Sequence, residues 1–427
     1  MIVQGRLLID PLHPPELGWI SINQPVGDTP ASIDSIAFGE LPSDVGPPDI
    51  GGRDRLICPA FADAHFHVPQ VDSVGCDGMP LLEWLDTVIF PAETWWARGG
   101  AIPDTRTAAR RLISQGTALV AAYLTAHAEA AREAATFLAT RTPLRFIAGR
   151  VAMDRCAPEG LTGEDIARAK LAPPPSPIMP AVSRSPRHRI SANPRFAISC
   201  TPELMAEVGW AVKDRPEVIV QTHLAETLPE CARVRELFPH LPHYTAVYDE
   251  AGLLRRGTLL AHAIHLADEE LDIIRERGSI AVHCPTANTF LQAGLFDLAR
   301  TNEDFGVQVA LGTDVAAGPD VAMPRVARGM IEVAKMLKMT RSGSAANRVK
   351  IPSPAEAWDM ITRRNADLLG APRCCRLEVG AEADVLVLRA PDSWFDEHVV
   401  GRLIYNWSAD LIESRVMNGQ VINPSSI

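Results

Sequence analysis

Six residues on four separated stretches of this chain are of types that hold a metal ion or move a proton, and each lies at the close of an apolar run. His65 and His67 end CPAFADAHFH, His223 and Glu226 end VIVQTHLAE, His262 ends TLLAH and Asp314 ends VQVALGTD. In an extended strand side chains repeat every second residue, so a His-x-His pair puts both imidazoles on one side. Two neutral imidazoles there can chelate one divalent ion. A third histidine and a carboxylate from later strand ends complete a shell of His65, His67, His223 and Asp314. This nitrogen and oxygen set suits one Zn²⁺ per chain, with Fe²⁺ and Mn²⁺ as alternatives. An aspartate ending so apolar a run is costly to bury unless a positive charge meets it. Glu226, three residues after His223, is placed to take a proton from an activated water and pass it to a substrate, which is the work of a hydrolase. The plainer reading of Glu226 is a helix N-terminal glutamate favoured by the dipole. His262 reads either as a fifth ligand or as a hydrogen-bonding partner of the water. His127, His265 and His283 read as core or surface histidines.

Polar groups that close separate strands share one place only if a single sheet aims them there, and a closed parallel barrel does so at its C-terminal mouth. The chain is patterned for one. LICPAFADAH, TALVAAYLTA, LRFIAGRVAM, RFAISC, EVIVQTHLA, TLLAHAIH, SIAVHCP and VQVALGTD are continuous apolar runs of the kind a sheet buried on both faces needs. Amphipathic stretches lie between most of them, among them TRTAARRLISQG, TPELMAEVGWAVKD, ADEELDIIRERG and AGLFDLAR. Thr201-Pro202-Glu203 marks a helix start. The expected fold is α/β: a (β/α)8 TIM-like barrel over 58–370, with a small flanking β-sandwich domain built from both termini, 1–57 and 371–427. Asn418-Gly419 predicts a hairpin turn in the latter. Residues 172–189, APPPSPIMPAVSRSPRHR, are too rich in proline for a full crossover helix and read as an exposed loop over part of the mouth.

Bulk properties narrow the function. The chain has 427 residues, 47% hydrophobic and 22% charged, which suits a soluble barrel with an accessory domain. A net charge of −11 without any basic block argues against nucleic acid and anionic membrane as partners. The N-terminus lacks the layout of a secretory signal, and no C-x-x-C pair occurs among the eight cysteines, so a cytoplasmic location is expected. No G-x-G-x-x-G follows the first strand, which excludes a dinucleotide-binding oxidoreductase.

The strings HFHVPQ, GMPLLEWLDTVIFPAE, NPRFAISC, QTHLAET, YTAVYDEAGLL, LLAHAIHL, VHCPTANTFLQAG and LGTDVAAG together resemble the amidohydrolase superfamily and, within it, the guanine deaminase family. The likeness runs from about residue 58 to 340, with a similar LEVGAEADVLVL near the C-terminus. It implies that His65, His67, His223 and Asp314 bind zinc, that His262 contacts the hydrolytic water, and that Glu226 and Asp314 move protons. It also implies that Gln70 and Arg195 hold a purine by hydrogen bonds and Phe196 by packing, with Leu82 and Trp84 lining the same pocket. The implied reaction is hydrolytic deamination of guanine to xanthine and ammonia by a homodimer. Ala60 departs from the usual glycine there, and the proline-rich 172–189 stands where a helix is usual. The alternatives are a deaminase of a related aminated heterocycle (an aminotriazine, 8-oxoguanine or a pterin) and a catalytically silent binding subunit.

Overall fold

The computed structural model describes residues 1–169 and 187–427. Four strands open the chain: β1 (Ile2–Leu7), β2 (Glu16–Ile22), β3 (Ile33–Phe38) and β4 (Ile50–Pro59). The barrel strands follow as β5 (Phe61–His67), β6 (Thr117–Tyr123), β7 (Arg145–Gly149), β8 (Val151–Ala152), β9 (His188–Pro194), β10 (Ile219–Leu224), β11 (Leu259–His262), β12 (Ile280–His283) and β13 (Gln308–Leu311). The short β8 pairs beside β9, and the other eight run parallel in chain order. Every residue of β5 and β6 is buried; β6 therefore reads as a nearly continuous apolar run, whereas β5 buries Asp63, His65 and His67 at alternate positions.

Side chains stitch the seam between the last strand and the first. Asp63 accepts from Thr313 N at 3.0 Å and Thr313 Oγ1 at 2.5 Å. Asn365 accepts from Leu311 N at 2.9 Å and donates to the carbonyls of Leu311 and Ala62, both at 2.8 Å. Its amide thus serves both strand edges as another backbone would. Beyond it, Asp314 N donates to the His65 carbonyl at 2.8 Å.

The termini supply β14 (Val385–Leu388), β15 (Ile412–Met417) and β16 (Gln420–Val421). With β1–β4 they form one sheet in the order β16-β15-β14-β4-β1-β2-β3, joined where β14 pairs with β4. It has its own apolar core, which includes Val3, Ile20, Ile33, Val385 and Val416. Asn418 and Gly419 both have positive φ, 48° and 72°, in the two-residue turn between β15 and β16. The run LICPAFADAH divides between the two sheets. Ala60 N donates to Asp384 O on the flanking side, and Phe61 N to Gly116 O on the barrel side.

Three expectations change. RFAISC is a turn rather than a strand: the fourth barrel strand lies just upstream, and Arg195 and Phe196 follow its end at Pro194. Strand pairing carries RISANP because its polar Ser191 and Asn193 are bonded inside the barrel by Gln221, so it needed no apolar signature. AGLFDLAR is mostly irregular, with a π-helical turn over Ala299–Asp304. A helix over Glu159–Ala169 precedes the proline-rich stretch. Most of the loop expected at 172–189 lies outside the described residues, and His188 and Arg189 belong to β9.

Candidate active site

His65 and His67 leave β5 on the same side, toward the barrel mouth. The Tyr123 ring packs against three imidazoles, with centroids 5.1 Å from His65, 4.6 Å from His67 and 5.1 Å from His223. His223 Nδ1–H donates to the Arg195 carbonyl at 2.7 Å, which leaves the Nε2 lone pair facing inward. His262 is oriented likewise by Asn288 Oδ1, 2.8 Å from its Nδ1. Gly312 allows Asp314 to reach the group: a Cβ at Gly312 would lie 2.6 Å from His65 Cβ and 2.9 Å from its nitrogen. His262 and Asp314 both have positive φ, 70° and 51°, an uncommon conformation that concentrates at functional sites.

The ligand-type atoms converge. Asp314 Oδ1 is 3.2 Å from His65 Nε2 and 3.4 Å from His67 Nε2. His67 Nε2 is 3.2 Å from His65 Nε2 and 3.1 Å from His223 Nε2. Ligand atoms of His65, His223, His262 and Asp314 all fall within 4.8 Å of one another. Burial, then neighbouring positive groups, hold His65, His67 and His223 well below the ordinary histidine value, so they are neutral, the ligating form. Burial pushes Asp314 up to about 6, against the pull of His262 and Arg195. Neutral imidazoles gathered about a carboxylate, that of His223 tied at its outer nitrogen and that of His67 with its Nδ1 buried and unpartnered, make a cluster of lone pairs that a cation satisfies.

Glu226 follows Ala225, which has φ 49°. Its Oε2 lies 3.4 Å from His262 Nε2, and its Oε1 is buried without a partner. Burial, then Asp314 and Glu230, raise its pKa well above the ordinary carboxylate value, so the group can carry a proton. It does not cap the next helix. That helix, Leu228–Leu237, is capped by Thr227 and Glu230, whose Oε2 also accepts from Glu226 N at 2.7 Å.

The pocket beside these groups is lined by Gln70, Trp84, Arg195 and Phe196, and closed by Leu81, Leu85 and Leu291. Leu82 is not on that lining: residues 81, 84 and 85 share one face of the turn, and 82 points about 100° away. His265 Nε2 bonds the Ala293 carbonyl at 2.7 Å, His127 precedes the helix Ala128–Arg141, and His283 stacks on Phe296 at 4.5 Å. Burial brings His283 down to about 3, and none of the three belongs to the metal-ligand cluster.

Several supporting residues had escaped sequence reasoning. Tyr248 OH donates to His223 O at 2.7 Å and accepts from Ala197 N at 3.0 Å, while Tyr244 OH donates to Glu230 Oε1 at 2.8 Å. The YTAVYD string therefore braces the loops after β9 and β10. Asp63, a carboxylate within a wholly buried strand, was a visible signal. Asn365 and Glu93 carried none, because their partners lie far away in the chain.

A near-closed parallel barrel of eight strands, its seam bridged by Asp63 and Asn365, with a histidine and aspartate cluster at its mouth defines a metal-dependent hydrolase of the (β/α)8 type. The chain belongs to the amidohydrolase family, whose model matches residues 56–418. It is 29% identical to the guanine deaminase of Mus musculus over 87% of this chain and 84% of that one. Among solved structures it is similar to a guanine deaminase from C. acetobutylicum with bound guanine in the active site, at TM-score 0.83 and 26% identity, covering 99% of each chain. It shares its fold with an adenosine deaminase from Xanthomonas campestris with bound zinc, at TM-score 0.75 and 20% identity over 98% of this chain and 92% of that one.

Proposed function

We propose that this chain hydrolyses guanine to xanthine and ammonia at a site holding one zinc ion. The observation that carries the reading is the convergence of His65, His67, His223 and Asp314 beside a pocket lined by Gln70, Arg195 and Phe196. The guanine deaminases of Mus musculus and C. acetobutylicum support it. Zinc in such a set supplies Lewis-acid activation of water at neutral pH.

The chain's own residues do the rest. Glu226 and Asp314 take the two protons that water gives up as its oxygen adds to C2 of the purine. Glu226 delivers one to the ring nitrogen next to C2, and the other goes to the amino group, which leaves as ammonia. His262, held by Asn288, orients the attacking water. Gln70 and Arg195 donate hydrogen bonds to the purine, with Trp84 and Phe196 packing on its plane. The same reading takes 1–57 with 371–427 as one composite β domain and 58–370 as the barrel domain, and assigns the enzyme to the cytoplasm as a homodimer. No helix among the described residues is long and apolar enough to cross a membrane.

The test is guanine consumed against xanthine and ammonia formed, with and without a chelator. Turnover should be lost on chelation and return with zinc. A clear preference for an aminotriazine, 8-oxoguanine or a pterin over guanine would displace the substrate assignment, and protein purified without a transition metal would displace the mechanism.

A further inference from the structure

Glu93 has no part in the chemistry above, yet its carboxylate meets two of the residues assigned to the purine. Its Oε1 and Oε2 accept from Arg195 Nη1 at 2.7 and 2.5 Å, and Oε1 also accepts from Gln70 Nε2 at 3.0 Å. Gln70 is tied at its other end, where Oε1 accepts from Ala316 N at 3.2 Å. The Phe90 ring centroid lies 5.3 Å from the guanidinium carbon of Arg195. Three elements meet at this one carboxylate: the helix Phe90–Thr94, the turn after β5 and the end of β9.

Burial gives the contact its meaning. Glu93 is 0% exposed, Gln70 2% and Arg195 3%, so little water screens the charges. A lone guanidinium in such a pocket would draw an anion, whereas one paired with a carboxylate presents N–H donors with its charge offset. The bonds to Glu93 use Nη1, which leaves the other N–H groups of Arg195 for the pocket it lines. Guanine is neutral at physiological pH and offers a lactam carbonyl and ring nitrogens as acceptors.

We propose that Glu93 is a positioning residue that sets the pocket for a neutral purine: it aims the donors of Arg195 and Gln70 and offsets the arginine's charge, so that anionic purines are disfavoured. The proposal rests on the guanine reading and adds to it the charge state that the site selects.

The experiment uses the full-length, zinc-loaded protein and its Glu93→Gln variant, which keeps a hydrogen-bonding side chain and removes the charge. Expected are a KM for guanine raised on the order of tenfold, a smaller change in kcat and unaltered zinc content. Calorimetric affinities for urate, an anion at neutral pH, and hypoxanthine, which is neutral, give the deciding ratio. It should move toward urate by about tenfold in the variant, because the guanidinium is then left uncompensated. A ratio within about twofold of wild type would reduce Glu93 to a purely structural contact and overturn the proposal. Should Glu93→Gln fail to fold, Glu93→Asp keeps the charge but shortens its reach. It should raise the KM for guanine without moving the ratio, and an unchanged KM overturns the positioning role. Wild-type turnover of guanine decides the activity separately, since the urate-to-hypoxanthine ratio can be read whether or not guanine is turned over.

Discussion

Replacing Glu226 by glutamine keeps the size of the side chain and removes the carboxyl that carries the proton. Since its Oε1 has no protein partner, the change should leave the surroundings intact. Turnover is expected to fall by about 10²- to 10⁴-fold with zinc content and purine binding retained, as measured by ammonia release alongside elemental analysis. Gly312 is a residue of another kind, needed for what it lacks. A Cβ there would press on the backbone of His65, so Gly312→Ala should cost about 1–3 kcal/mol and weaken metal retention. Thermal melts with and without chelator would read both effects. The ligand types were legible because H-x-H and a buried aspartate are chemically conspicuous in apolar runs. Glu93 was not, because only folding brings it to Arg195, a hundred residues later.

At the scale of elements, the barrel depends on how its first and last strands are joined. Asn365→Ala leaves the amide of Leu311 and two carbonyls at the seam without that partner. The expected loss is about 1–3 kcal/mol in denaturant unfolding, and a seam that tolerates the change would mean that the backbone alone closes the barrel. β9 carries a pH dependence of its own. Burial, then Arg187 and Arg145, lower His188 from 6.5 to about 4, and its ring stacks on Phe146 at 4.4 Å. The unfolded chain therefore binds the proton first. The stability linked to this group is complete above about pH 6.5 and is lost as pH falls toward about 4. His188→Phe should flatten that part of the stability profile in chemical unfolding across those pH values. β9 was also the strand misplaced by sequence: Ser191 and Asn193 hide a strand whose polar groups find partners inside the barrel.

For the molecule as a whole, a buried ionic cluster clamps the flanking sheet to the barrel. Arg145, at the start of β7, and Arg187, just before β9, both pair with Glu382, and Arg187 also approaches Asp384. Glu382→Gln removes the carboxylate they share and should cost about 3–5 kcal/mol, checked by urea unfolding. A smaller loss would show that apolar packing along β4 and β14 carries the junction. The primary structure by itself determined the class of fold and the metal-ligand candidates, because strand burial and ligand chemistry are written in residue type and local period. Tertiary structure alone decided which groups share a partner: Glu93 with Arg195 and Gln70, Asn365 with both seam strands, and Leu82 off the pocket face. Those outcomes depend on the directions of side chains brought together from distant segments, and no local pattern encodes a direction in space.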